Sequence, residues 1–475
     1  MRRLRRQLPD RSHLPLIQSV MEKKSRLELF RSAFFVSVLL IFVIFLPFYL
    51  TRELWFDEVL TLQFAFLPSV ADICSSYTIP NNQIVHTIML SSLLKWGVSP
   101  EAARIFPLIC GLLTVYILWK SFKKEIGTTQ LAIALAALVL SPPFMLYATA
   151  LRGYMLAALF TVIALVSAKK YALGGRIRML LLWFIFSTLA VGVMPSALAG
   201  IAAAGLYIAP YCGKRYWKNR KLYLLAIAPF AGFLLFYLPI WDKLLAAFDL
   251  KEGWHHAGYA LIAVGTGILA TFLTPLCGGV FFHRPKIRNL PRSLIWLIPA
   301  AGAFLPVAPF PRVYFVLFPV IALLAGRYLR RAGSAVLKFI AAATVVWGAL
   351  MLPELPRTLL SPAVSLAGQD DFFAPRFARR VFTPHVTAKA VERYAPAAVF
   401  VSFEADPFAM IYASAGKFQV IPDIPPGKLR ALPDNALIVL AKEEDPAAFA
   451  TRFSGKIEVL ETNDLHKICR FIRQL

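Results

Sequence analysis

Charge is scarce in this chain, and acidic charge most of all. Asp, Glu, Lys and Arg make up 16% of its 475 residues, and 26 carboxylates stand against 51 basic side chains. A soluble protein of this length needs far more polar surface. The five cysteines (Cys74, Cys110, Cys212, Cys277 and Cys469) are scattered, with neither a disulfide framework nor metal-ligand spacing. A Cys74–Cys469 bridge stays open, but nothing in the spacing supports it. No glycine-rich phosphate loop occurs, so the usual signature of a cytosolic nucleotide enzyme is missing. No repeat, collagen-like period or disordered composition competes with a membrane reading.

What the chain has in quantity is apolar surface: 58% of its residues are hydrophobic and its mean hydropathy is +0.64. Apolar runs fall at about 34–50, 102–119, 129–147, 153–168, 179–195, 197–211, 222–240, 258–282, 293–308, 313–329 and 335–352. Such runs suit bilayer crossing, which takes roughly 17–25 residues. The expected fold is therefore an all-α polytopic membrane domain of about 11 transmembrane helices, followed by a small soluble α/β domain. The run 83–96 is too short to cross and is expected to lie as a helix at the external interface.

The net charge of +25 is distributed by topology. Residues 1–33 carry 9 Lys/Arg, and every second loop afterwards is basic: Lys120–Lys124, Lys169–Arg178, Lys214–Lys221, Arg284–Arg292 and Arg327–Lys338. The intervening loops hold few cations. Cytoplasmic loops carry the Lys/Arg excess, which puts the N-terminus inside and, with an odd span count, the C-terminus outside. From residue 353 onward 15 basic side chains nearly balance 14 acidic ones. The basic excess is thus a membrane signal, and nucleic acid is not an expected partner. The first apolar run reads as a signal anchor, because no small-residue cleavage site follows it.

Four regions follow: a basic cytoplasmic arm at 1–33, the membrane domain at 34–352, a Pro-rich connector at 353–385, and an extracytoplasmic α/β domain at 386–475. In the last, β-rich runs (AAVFVSF, FQVIP, ALIVLA, KIEVLE) alternate with helix-like stretches.

The chemistry is expected in the long external loop after the first span. Asp57 and Glu58 stand together there behind Trp55 and Phe56, which are interface anchors. Adjacent carboxylates serve as base or metal ligand; they equally suit the first turn of a helix. On the same expected side lie Asn81, Asn82, His86, Arg104, Tyr147, Arg152 with Tyr154, and Arg312 with Tyr314. An arginine at a span end can simply snorkel, and His86 suits a satisfied interfacial position. Arg152 and Arg312 are harder to dismiss, each being the lone cation of a short loop. Guanidinium groups bind phosphate bidentately, so carboxylates with arginines at an outer membrane surface suit a lipid-borne phosphate substrate. His255 and His256 lack a third ligand nearby, a weak metal signal.

LWFDEVLTL, NNQIVHTIMLSSLLKWGVSPEAARIFPLICGLLTVYILW, LYATALRGYMLAALF and FPRVYFVLFPVIALLA occur in that order, and this order resembles the GT-C glycosyltransferases, the superfamily of the protein O-mannosyltransferases and aminoarabinose lipid A transferases. The likeness covers roughly residues 30–330. It departs at Gln83-Ile84-Val85, where many relatives carry His-Pro-Pro or Lys-Pro-Pro. The resemblance implies a sugar donor on polyprenyl phosphate, an extracytoplasmic acceptor, membrane lipid around the protein, and transfer with inversion. It implies that Asp57, with Glu58 beside it, is the base or a metal ligand, that a divalent cation is a candidate cofactor, and that Arg152 and Arg312 engage donor phosphate. A bacterial inner membrane is the expected location. Two rival readings remain: a transporter or flippase for a lipid-linked or anionic substrate, and an inactive scaffold whose C-terminal domain binds a partner. The first would place ionisable groups near the midplane, in repeated halves.

Overall fold

The computed structural model describes residues 14–51, 54, 56–76, 82–212, 220–243, 245, 257–280, 290–302, 311–352, 384–405, 407–423, 429–463 and 466–473. Trp55, Asn81, His255, His256 and nearly all of the 353–385 connector lie outside the described residues, as do parts of the basic loops.

The protein is an integral membrane protein of mostly helical build. Helix α1 (Leu14–Leu50) begins well before the expected first span. Residues 14–33 are therefore helical: they contain Leu, Met, Glu, Lys and Arg, all good helix formers, with one early proline. After it come α2 (Phe56–Ala65), α3 (Val70–Ser75), α4 (Ile84–Lys95), α5 (Pro100–Ala103), α6 (Ile105–Ile126), α7 (Thr128–Val139), α8 (Pro142–Ala148), α9 (Tyr154–Gly174), α10 (Ile177–Val193), α11 (Ala197–Ile208), α12 (Arg220–Tyr237) and α13 (Ala257–Val280). Short helical turns at 290–302 and a 3-10 stretch at Pro311–Leu317 lead to α14 (Phe318–Tyr328) and α15 (Ser334–Met351).

Among the described residues 5 helices are long and apolar enough to cross a membrane, or 6 if the bent pair Thr128–Val139 and Pro142–Ala148 counts as one span. Most of the other expected spans are shorter apolar helices, such as Ile177–Val193 and Ala197–Cys212. The breaks have local causes. Pro142 and Pro143 cannot donate backbone hydrogen bonds; Ser141 caps the new helix, and the axis turns by 67°. Gly127 separates α6 from α7 at φ +107°, where an added Cβ would meet the Gln130 side chain at 2.3 Å. Only glycine adopts that geometry readily.

Helix α9 is the hub. It packs against α6, α10, α11 and the 311–317 stretch, and its residues are largely buried. Helix α1 is the reverse: from Glu28 to Leu50 most of its side chains are not buried by the rest of the protein. At the far end of α9 from Tyr154, Lys169 reaches Glu125 of α6 at 2.8 Å, and Glu125 also accepts from Arg327 and Tyr211. One carboxylate thus ties α6, α9, α14 and the turn after α11 together.

The C-terminal domain holds α16 (Pro384–Glu392), α17 (Pro407–Ser414), α18 (Pro446–Thr451) and strands β1 (Ala398–Val401), β2 (Gln419–Pro422), β3 (Leu437–Ala441), β4 (Gly455–Thr462) and β5 (His466–Arg473). The sheet order is β2-β1-β3-β5-β4, parallel among β2, β1 and β3 and antiparallel on the β5 side. Cys469 lies buried in β5, and burial pushes its thiol up to about 12. Cys74 and Cys469 are both free thiols. Helix α17 packs on α2, which brings the domain onto the helix that bears Asp57 and Glu58.

Candidate active site

The first turn of α2 supplies Asp57 and Glu58, and their neighbours divide them. Glu58 is fully buried. It takes Arg104 Nε at 3.2 Å and NH2 at 3.0 Å, and accepts from the Leu151 backbone N–H at 2.8 Å. Arg104, at the α5–α6 junction, also donates to the Leu50 carbonyl at 2.9 Å. A buried pair of this kind stands only when its hydrogen bonds are made. It clamps α2 to the end of α1, to the start of α6 and to the loop before α9. Glu58, a candidate catalytic residue, and Arg104, a candidate substrate contact, thus stand together as a buried ion pair.

Asp57 faces the other way. Its Oδ2 lies 3.2 Å from NH2 of Arg312, with 9% and 12% of the two side chains exposed. Arg312 Nε donates to the Tyr154 hydroxyl at 3.2 Å. Arg152 NH1 donates to Thr61 Oγ1 at 2.8 Å and to the Asp57 carbonyl at 3.3 Å, and its guanidinium sits 5.9 Å from the Tyr154 ring centre. Thr61 itself donates to the Asp57 carbonyl at 2.7 Å. The Tyr147 and Tyr154 rings stand 4.5 Å apart, and Phe315 closes on Tyr147 at 5.1 Å. Asp57, Arg152, Tyr154 and Arg312 therefore converge from three separate stretches of chain. Tyr147 backs them, and Tyr314 is buried beside Phe315.

Asn82 and His86 are not in that convergence. Asn82 donates to the Ile73 and Ser76 carbonyls, each at 2.7 Å, and accepts from Thr87, so it locks α3 to α4. The His86 ring is buried against Phe106 at 6.0 Å, and among the described residues neither ring nitrogen has a hydrogen-bond partner. Burial, with the Arg152 charge adding to it, lowers its pKa to about 3 and keeps the imidazole neutral.

Thr61, Gln83 and Gly153 also build the site, though reading the sequence had not singled them out for it. Thr61 is one helical turn after Asp57, a spacing that puts both on one face. Gln83 Oε1 accepts from the Gly153 backbone N–H. A Cβ at Gly153 would meet Val193 at 2.5 Å and both Gln83 and His86 at 3.1 Å. Gly153→Ala is expected to lower stability by about 1–3 kcal/mol, the usual effect of overpacking, and to weaken any ligand held by Arg152 next to it. Thermal unfolding of the solubilised variant checks this, and an unchanged midpoint would show that the contact yields freely.

Among the described residues no group of three or more His, Cys, Asp or Glu side chains could hold a metal ion. Among the described residues Asp57 is the carboxylate that faces the convergence.

Neither family models nor curated proteins match the sequence. Solved structures do. ArnT from Cupriavidus metallidurans in the apo state is 15% identical with a TM-score of 0.54, over 94% of this chain and 98% of that one. The same protein bound to undecaprenyl phosphate gives 15% identity and a TM-score of 0.52, over 93% and 97%. The present chain shares the fold of ArnT.

Proposed function

We propose that the protein is a glycosyltransferase that moves a sugar from a polyprenyl-phosphate donor to a lipid, glycan or protein acceptor on the extracytoplasmic face, with inversion. The observation that carries this reading is the Asp57–Arg312–Tyr154 arrangement, a carboxylate and a guanidinium 3.2 Å apart. Such a pair offers a proton acceptor and a phosphate binder side by side. The ArnT structure with undecaprenyl phosphate supports the donor class, since its fold spans 93% of this chain.

Arg312 pairs with Asp57. A donor phosphate competes for that guanidinium through charge-assisted hydrogen bonds, and Arg152 stands nearby as a second cation. Once Arg312 turns to the phosphate, the Asp57 carboxylate can accept a proton from the acceptor hydroxyl or amine. The acceptor atom bonds to the anomeric carbon, and the bond from that carbon to the phosphate oxygen breaks. Its electron pair leaves on polyprenyl phosphate, where Arg152 and Arg312 stabilise the developing charge. A divalent cation, where the reaction employs one, would be held by Asp57 and would offset charge on the donor phosphate. A bacterial inner membrane with a cytoplasmic N-terminus completes the proposal.

The test is transfer of label from a panel of radiolabelled undecaprenyl-phosphate sugars to extracted envelope acceptors by the purified protein. Movement of label to an acceptor supports the reading. Failure to consume or bind any donor across a broad panel would put the transporter in its place. Within that assay Arg312→Ala is expected to weaken donor binding by roughly 10–100-fold, the scale of one charged hydrogen-bonding partner lost at about 1.5–3 kcal/mol. Equal donor affinity in the variant would remove Arg312 from the phosphate site.

A further inference from the structure

A second polar site lies at the other end of the bundle. A cavity of about 380 Å³ opens between α1, α7 and α15, lined by Phe30, Arg31, Gly127 to Gln130, Ser334, Leu337 and Lys338. Among the described residues two cations line it and no carboxylate does. Arg31 Nε is aimed by a 3.3 Å hydrogen bond to Thr129 Oγ1, and Lys338 Nζ stands 5.8 Å from the Phe30 ring centre. Helices α7 and α15 both begin at its wall, where the first backbone N–H groups have no acceptor within their own helix. The Thr128, Thr129 and Ser334 hydroxyls add further donors.

The surroundings say what kind of anion fits. One turn further along α1 from Arg31, on the same face, Phe35 is 68% exposed. Phe339 follows Lys338 and is 75% exposed. Both rings are exposed on α1 and α15, the helices that wall the cavity. A soluble anion would use the cations and gain nothing from the apolar flank. A lipid would use both, with its headgroup in the cavity and its chains along Phe35 and Phe339. Basic pockets between transmembrane helices on the cytoplasmic side hold anionic headgroups, and the cytoplasmic leaflet supplies them.

We infer that this cavity binds the phosphate headgroup of an anionic glycerophospholipid from the cytoplasmic leaflet. The leaflet rests on the orientation proposed above; the cavity and its chemistry do not. The site is separate from the Asp57 convergence, and its occupant would brace α1 against α7 and α15 where the cluster around Glu125 does not reach.

The experiment is native mass spectrometry of the purified full-length protein, titrated with phosphatidylglycerol or phosphatidylcholine. Wild type is expected to retain phosphatidylglycerol in preference to phosphatidylcholine. The double variant R31Q/K338Q is expected to bind it roughly 30-fold more weakly, from two surface cations worth about 1 kcal/mol each. The charge-conserving R31K/K338R should keep most of the affinity and controls for misfolding. Equal retention by wild type and R31Q/K338Q would overturn the site, and equal retention of both lipids would overturn the anionic headgroup. Displacement of the lipid by millimolar inorganic phosphate would overturn the lipid in favour of a free anion. Sugar transfer is not read in this experiment, so its outcome is independent of whether the glycosyltransferase reading stands.

Discussion

Asp57→Asn should lower sugar transfer by roughly 10²–10⁴-fold, the range for losing a positioned general base, while the protein still folds and inserts. The substitution keeps the shape of the side chain and removes its charge and its proton affinity. It also releases Arg312 from its 3.2 Å partner. Donor binding should therefore hold or tighten, because the guanidinium no longer has to leave a carboxylate before it meets a phosphate. That split between failed turnover and preserved donor affinity is the signature to look for. A variant that lost both would point to a structural role for the Asp57–Arg312 pair. Transfer at the wild-type rate would end the assignment of Asp57 as base.

Glu58→Ala should act on the opposite quantity. Arg104 and Glu58 are 1% and 0% exposed, and removing the carboxylate takes a 3.0 Å ion-pair contact from a buried guanidinium. Breaking a buried pair from one side costs about 3–5 kcal/mol. The Leu151 backbone N–H loses its acceptor as well. The expected result is a large fall in the thermal midpoint of the solubilised protein, with poor membrane yield. Glu58→Ala combined with Arg104→Leu should recover much of the loss, since no lone charge then stays buried. If Glu58→Ala melts like wild type, the clamp between α2, α6 and the loop before α9 contributes little.

The adjacent acids thus differ through neighbours that are remote in sequence. Nothing in the run WFDEV distinguishes them, because both suit the first turn of a helix and both precede apolar residues. Arg104 lies 46 residues away from Glu58, while Asp57 meets Arg312 from near the other end of the membrane domain. The prominence of Arg152 and Arg312 was legible, because a lone cation in a short loop on the cation-poor side stands out against the topological bias. Their convergence on one tyrosine was not. Thr61 could have been found from its helical spacing to Asp57; Gly153 and Gln83 could not, since their contact depends on how α4 meets the start of α9.

The helix breaks divide in the same way. Pro142-Pro143 and Gly127 announce themselves locally, yet the sequence pattern runs through the first as one apolar span, 129–147, where the chain turns by 67°. Hydropathy counts transfer to lipid and is blind to direction. In the C-terminal domain the four apolar runs became β1 to β4. The interior strand β5 (HKICRFIR) escapes this pattern because Lys467, Arg470 and Arg473 interrupt it. Its burial comes from pairing with β3 and β4 on either side, which no local composition encodes.

Composition and the spacing of charge therefore determined by themselves that this is a helical membrane protein with a small α/β domain behind it, and which external loops carry unusual polar residues. These are local or averaged properties, set by transfer free energy and backbone propensity. Tertiary structure alone decided that Glu58 is held by Arg104 while Asp57 faces Arg312 and Tyr154, and that α17 of the C-terminal domain rests on α2. Those outcomes depend on side chains tens to hundreds of residues apart meeting within about 3 Å, the range over which hydrogen bonds and ion pairs act.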